Sequence, residues 1–248
     1  MIARATAAVL ALLAVVTCGG DHAAGADAML VLAAASLTDA FTDIAAAFEK
    51  ANDGVTVELS FGGSSSLATQ IVEGAPAAVF ASASGTQMTV VVDAGLAAEP
   101  VEFTNNLLEI AVPPGNPAGI ATLEDFARED LLLGLCAEEV PCGSFAREAF
   151  AAAGITPSVD TNEPDVRSLL TKVETGELDG GIVYHSDVVA SGDAVDGIVI
   201  PSERNVVARY PMAVLEEAPD AEMAQAFVDF VLSPAGQEIL ERYGFTTP

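Results

Sequence analysis

Met29-Leu30-Val31-Leu32-Ala33-Ala34-Ala35-Ser36-Leu37-Thr38-Asp39 decides the fold class of this 248-residue chain. The stretch from Met29 to Ala34 is an unbroken apolar run of the length of a buried strand. Ser36 then offers a helix N-cap, with Asp39 as a capping-box acid three residues on. Leu37, Phe41, Ile44 and Phe48 follow at helical spacing, and the helix is expected to end before Gly54. A buried strand feeding at once into an amphipathic helix is the unit of an α/β fold.

The same alternation runs outward from there. Val55 to Phe61 reads as a second strand, and Gly62-Gly63-Ser64-Ser65-Ser66 as a small-residue turn into a helix carrying Leu67 and Ile71. Ala77 to Ala81 and Leu107 to Val112 read as strands, the latter stopped by Pro113-Pro114-Gly115. Leu131 to Leu135 is followed by a turn at Pro141-Cys142-Gly143 and a helix from Ser144 to Ala153. Asp165 caps a helix with Val166, Leu169, Leu170 and Val173 on one face. Gly180 to Tyr184 and Tyr210 to Glu216 are two more strands. Two helices close the chain, the second announced by Ser233-Pro234 and stopped at Gly244.

Composition removes several classes of function. The chain is 51% apolar and 18% charged, so it is no disordered polar tail. With 9 Lys+Arg against 36 Asp+Glu the formal charge is −27, which excludes nucleic acid as a partner. The two histidines, His22 and His185, exclude a multi-histidine metal site and leave little room for a catalytic triad. Without tryptophan there is little to stack bases or sugars on. No Gly-x-Ser-x-Gly elbow or suitable general base supports Ser64 as a nucleophile, so the protein reads as a non-enzyme that needs no cofactor.

The first segment is an address. Residues 1–17 carry Arg4 and then a short, mostly apolar run from Ala5 to Val16, which suits a secretory signal peptide. Val15-Val16-Thr17-Cys18 resembles the lipobox of bacterial lipoproteins, with Thr17 in place of the usual small residue, so Cys18 is the candidate lipidation site. Residues 18–28 suit a tether in which His22 is solvated. The mature protein is then exported, anchored to the membrane by lipid alone, and Cys136 and Cys142 are free to form a disulfide.

Four helix starts are entered through tight turns bearing Ser, Cys-Gly or Asp-Val. Free N–H groups and the positive end of the helix dipole make such starts suited to anions without any cationic side chain. Singly, each is no more than a helix cap.

At these residues the chain resembles the periplasmic molybdate-binding proteins of ABC importers. Leu32 to Ala40, Phe61-Gly62-Gly63-Ser64-Ser65-Ser66-Leu67-Ala68 and Gly74-Ala75-Pro76-Ala77 match family motifs. So, in order, do Ala111 to Pro117, Val140-Pro141-Cys142-Gly143, Asp165-Val166-Arg167, Gly181 to Tyr184 and Arg242-Tyr243-Gly244-Phe245. The resemblance implies a type II periplasmic-binding-protein fold: two α/β lobes, residues 29–110 plus 208–248 and residues 111–207, joined by a two-strand hinge. It also implies an oxyanion held by Ser36 and Ser64 from the first lobe and by Cys142, Val166 and Tyr184 from the second. Two positions depart from the family: Cys142 stands where alanine is common, and Ala78 where aspartate is. The implied partners are molybdate or tungstate and a cognate ABC permease, with the binding protein itself a monomer.

The chemistry of that ligand agrees with the residues. A fully deprotonated tetrahedral dianion accepts hydrogen bonds and donates none, so its host should offer only N–H and O–H groups. Phosphate keeps a proton at neutral pH and needs an acceptor as well; leaving that proton unpaired costs about 1–3 kcal/mol. No arginine is required, and Arg167 is expected in a surface ion pair or as charge behind the site. Sulfate and phosphate remain the alternative ligands.

Overall fold

The structure is a computed structural model and describes residues 28–248; the signal peptide, Cys18 and His22 lie outside the described residues. The elements are β1 (Ala28–Ala34), α1 (Thr38–Ala51), β2 (Thr56–Gly62), α2 (Ser64–Val72), β3 (Val79–Ala81), α3 (Gly85–Asp93) and β4 (Val101–Val112). They continue with β5 (Leu133–Cys136), α4 (Pro141–Ala153), β6 (Thr161–Glu163), α5 (Val166–Glu174), β7 (Gly180–Tyr184) and α6 (His185–Ser191). The chain closes with β8 (Asp196–Val199), β9 (Val207–Val214), α7 (Ala221–Leu232) and α8 (Pro234–Arg242).

The strands lie in the order β2-β1-β3-β9-β4-β7-β5-β6, with β8 also paired to β4. β1 is parallel to β2 and β3, and β5 is parallel to β6 and β7. β9 and β4 run antiparallel between these two parallel groups. β4 pairs with β9 through Leu107 and with β7 and β8 from Leu108 onward. A strand of this length spans about 40 Å, enough to belong to both lobes of the sheet. The type II architecture follows: two parallel α/β lobes bridged by β4 and β9.

Each lobe has its own aromatic centre. Phe41 and Phe48 of α1 meet Phe227 of α7 with ring centroids 6.1 and 5.3 Å apart, and Phe103 of β4 stands 5.8 Å from Phe41. In the second lobe Phe126 packs on Phe150 at 5.3 Å. α1 buries Phe41, Ile44 and Phe48, the face its spacing predicts.

Three local expectations are corrected. Ser36 does not cap α1: it lies in a 3-10 turn, Ala35–Leu37, and the cap position is Leu37 with no side-chain bond. The Ser36 hydroxyl is engaged elsewhere, 2.9 Å from the Tyr210 hydroxyl. α4 begins at Pro141 rather than Ser144, because proline at the first helical position has its φ already set and lacks only an N–H that would be unpaired there. β4 begins at Val101, well before Leu107. Its first half carries the buried polar residues Thr104 and Asn106, which interrupt the apolar pattern that marks a strand. The caps at Asp165 and Ser233 form, accepting from the backbone N–H of Ser168 and Gly236.

Candidate functional site

The five residues implied as oxyanion contacts sit at carboxyl ends of strands, where α/β sheets bind their ligands. Ser36 follows β1, Ser64 opens α2 after β2, and Cys142 lies in the first turn of α4 after β5. Val166 is the first residue of α5 after β6, and Tyr184 ends β7. All five line one cavity, together with Gly62, Gly63, Ala83, Val140, Pro141 and Asp165. The cavity is narrow, about 10 Å³, far under the ~300–1,000 Å³ of sites for drug-sized organic molecules.

Set among apolar and small residues, the polar groups of the lining are mostly donors. Ser64, Cys142 and Val166 fall in first helical turns, whose N–H groups have no partner within their own helix. The Ser64 hydroxyl accepts from the Ala83 N–H at 3.0 Å, which leaves its own proton to donate. The Tyr184 hydroxyl is buried and has no hydrogen-bond partner. Burial, foremost, pushes the Tyr184 phenol well above its ordinary value, so it stays protonated and a donor. Asp165, the one carboxylate in the lining, is turned to Ser168, accepting from its N–H and its hydroxyl at 2.9 Å each.

Local sequence fixes this geometry. Cys136, at the end of β5, is joined to Cys142 by a disulfide with the Cα atoms 5.7 Å apart, which clamps the turn into α4. Gly143 allows that turn: a Cβ there would run into the carbonyls of Cys136 and Ala137. Gly63 does similar work across the cleft, where a Cβ would lie 2.5 Å from the carbonyl oxygen of Pro164.

Two further contacts close the cleft from lobe to lobe. Arg167 of α5 reaches Asp39 of α1 at 3.0 Å, and the Gln87 side chain donates to the Glu139 carbonyl at 3.1 Å. Arg167 is thus an ion-pair residue at the cleft mouth and is not part of the cavity lining. His185 bonds Glu109 through Nδ1 at 2.6 Å.

Sequence reasoning passed over Asp187 and the polar group around Tyr210. Asp187 is fully buried beside the site; one carboxylate oxygen accepts from the Tyr184 N–H at 3.0 Å and the other has no hydrogen-bond partner. Burial, opposed by the Tyr184 N–H and by Arg167 at 3.9 Å, raises its carboxyl to about 7. Tyr210 lies beneath Ser36 with its ring 6.0 Å from that of Tyr184. Neither residue stands in a motif: the sheet brings Tyr210 to the site, and the first turn of α6 brings Asp187, three residues after Tyr184.

Two lobes with a small donor-lined cavity between them define a solute-binding protein of the two-lobed class. The chain belongs to the bacterial extracellular solute-binding proteins, whose family model matches residues 29–246, and is accordingly an exported protein. It is 40% identical over 242 residues to the molybdate-binding protein ModA of Mycobacterium tuberculosis, covering 94% of this chain and 93% of the relative. It is 37% identical over 239 residues to the protein of that name from Escherichia coli, covering 92% of each. The periplasmic molybdate-binding protein of Azotobacter vinelandii superimposes with a TM-score of 0.80 at 18% identity, over 89% of this chain and 99% of that one. The sulfate-binding protein SubI of Mycobacterium tuberculosis superimposes almost as well, at 0.79 and 18% over 88% and 86%. At such identities the two structures speak for the fold alone.

Proposed function

We propose that this protein captures molybdate, and tungstate with it, outside the cytoplasm and hands the ion to an ABC permease. Its contacts are the hydroxyls and N–H groups of Ser36 and Ser64, the N–H groups of Cys142 and Val166, and the Tyr184 phenol. One observation carries the reading: a buried phenol without a partner lines the same small cavity as two serines and two helix starts. Such a lining satisfies a dianion with no proton and leaves a protonated one with an unpaired donor. The relatives named for molybdate supply the choice among dianions.

In this reading the protein is a monomer with no reaction to catalyse. Residues 29–110 plus 208–248 form one body and 111–207 the other, and the two close on the ion about β4 and β9. Residues 1–17 are removed on export, and acylated Cys18 holds the protein at the membrane through the tether.

Calorimetric titration with molybdate, tungstate, sulfate and phosphate tests the ligand. Molybdate and tungstate should bind comparably and at least about a hundredfold more tightly than the others, since two lost charge-assisted bonds are worth that much. Sulfate or phosphate binding as tightly as molybdate overturns the assignment.

A further inference from the structure

We propose that Tyr210 is a positioning residue that sets the direction of the Ser36 hydroxyl, and that this selects proton-free dianions over protonated ones. The inference rests on the oxyanion reading of the cavity. It concerns a residue outside the cavity lining, on the strand that links the lobes.

The argument follows donors and acceptors along a buried chain of groups. The Asn106 side chain is buried in β4, and its carbonyl oxygen accepts from the backbone N–H groups of Leu107 at 3.0 Å and Ser186 at 3.4 Å. Backbone N–H groups cannot reverse, so the orientation of this amide is fixed. Its NH2 group must therefore face the other way, and there it meets the Ser186 hydroxyl at 2.7 Å and the Tyr210 hydroxyl at 3.4 Å. Tyr210, facing a donor on that side, has to direct its own proton elsewhere. The Ser36 oxygen, 2.9 Å away, is the acceptor at hydrogen-bond distance; the neighbouring Tyr184 hydroxyl makes no bond within that distance. Burial pushes the Tyr210 phenol well above its ordinary value, so that proton is always present.

Ser36 therefore accepts from Tyr210, and its own proton is left for the cavity. Ser64 reaches the same state by a different route, because the Ala83 N–H occupies its oxygen. Two serine hydroxyls, which by nature both donate and accept, are thus made into donors. A hydrogenphosphate ion needs one acceptor for its proton, and neither serine supplies it.

The test separates direction from mere packing. Tyr210→Phe keeps the ring and releases Ser36 to turn and accept. Asn106→Asp keeps the oxygen that accepts from Leu107 and Ser186 but puts an acceptor toward Tyr210. Tyr210 then donates to residue 106 and accepts from Ser36, turning the serine lone pairs to the cavity. Molybdate, sulfate and phosphate are titrated at pH 8 against wild type and both variants, weak binders by displacement of molybdate. Sulfate is the control, being a dianion without a proton. The phosphate-to-sulfate affinity ratio should rise at least about fivefold in Tyr210→Phe, and further in Asn106→Asp, as an unpaired donor finds a partner. A structural role would weaken all three ions together and leave the ratio fixed. An unchanged ratio in both variants overturns the proposal, including the case where phosphate binding stays below detection while molybdate weakens. The wild-type titration alone tests the ligand reading, and the change in ratio between variant and wild type tests Tyr210, so the two can fail separately.

Discussion

The two sides of the cleft supply donors by different means. On the β1–β3 side serine hydroxyls add to the N–H at the start of α2, and each hydroxyl takes its direction from a neighbour: the Ala83 N–H donates to Ser64 and, on the proposal above, Tyr210 donates to Ser36. On the β5–β7 side they are backbone N–H groups at the starts of α4 and α5, whose direction follows from the helix itself, plus one phenol. On the main-chain side the side chain at 142 matters less, because Cys142 is tied by it into a disulfide. The hydroxyl side has less tolerance, since the serine hydroxyls are side-chain groups. On the proposed reading, affinity is shared between the sides, while discrimination by protonation state depends on the serines.

The sharpest way to break this comparison is to keep both sides intact and prevent them from meeting. Gly63→Ala adds a methyl group that meets the Pro164 carbonyl across the cleft, although the backbone at Gly63 has an extended conformation that alanine adopts freely. Closing requires the lobes to stay apart or the turn to shift. Oxyanion affinity should fall more than about a hundredfold, the worth of two or more charge-assisted bonds. The melting temperature without ligand should change little. Calorimetry and thermal unfolding on the same sample check both halves of the expectation.

Removing single donors comes next. Ser64→Ala and Tyr184→Phe should each weaken molybdate by about 10- to 100-fold, the range for one bond to a charged group. Tyr184→Phe should also raise stability without ligand, since it deletes a buried hydroxyl that has no partner. Ser64→Ala should lower it, leaving the Ala83 N–H unpaired. Opposite signs in denaturant unfolding, with losses of affinity in the same direction, would identify Tyr184 as a group held ready for a ligand.

The second side also buries a titratable carboxyl. Asp187 has its carboxyl raised to about 7 from 3.8, mainly by burial. The folded state therefore holds a proton that the unfolded chain has released, and stability must fall as pH rises from about 4 through 7. Asp187→Asn removes that slope. Its stability relative to wild type should rise between pH 5 and pH 8 by on the order of 1–3 kcal/mol, read by urea unfolding at the two values. A difference independent of pH would mean that Asp187 is ionised throughout.

The Cys136–Cys142 bond sharpens the comparison from the main-chain side. Its loop is short, so reduction should cost about 2 kcal/mol of stability, below the ~3 kcal/mol of a fifteen-residue loop. Alkylation of the unreduced protein followed by mass spectrometry should find neither thiol reactive. Reduced protein should keep binding with a loss under about tenfold, because the N–H of Cys142 is still held by the first turn of α4.

What could be read in the sequence was local. Strands that run straight into helices, the caps at Asp165 and Ser233, and the glycines of the Gly62-Gly63 turn all act within a few residues, and their patterns carry the physics. The five cavity residues were legible only through the resemblance to the molybdate-binding family: taken alone, the turns at Ser36, Ser64, Cys142 and Val166 read as helix caps, and Tyr184 as the end of a strand. The first half of β4 was not, since Thr104 and Asn106 face the interior as a polar pair and look like a loop. Tyr210 was visible as the start of a return strand, but its bond to Ser36 spans 174 positions and exists only because β9 folds in beside β3 and β4. Asp187 was illegible for a related reason: nothing in its own neighbourhood signals that it is buried.

The smallest effect belongs to Arg167, at the cleft mouth. Arg167 is about one-third exposed, pairs with Asp39 at 3.0 Å and stands 3.9 Å from Asp187. An ion pair this open to solvent contributes about 0–1 kcal/mol. Its position at the mouth, outside the cavity lining, leaves it no direct bond to give an ion inside. Arg167→Ala should therefore weaken molybdate by less than about fivefold, an amount that shrinks further as salt is raised. The same change removes the positive neighbour of Asp187, so the fall in stability with rising pH should become steeper near neutrality. Titration at low and high salt checks the first expectation, and urea unfolding across pH 5 to 8 the second. If Arg167→Ala abolished binding instead, charge rather than neutral dipoles would hold the ion, and the contrast between a hydroxyl side and a main-chain side would lose its meaning.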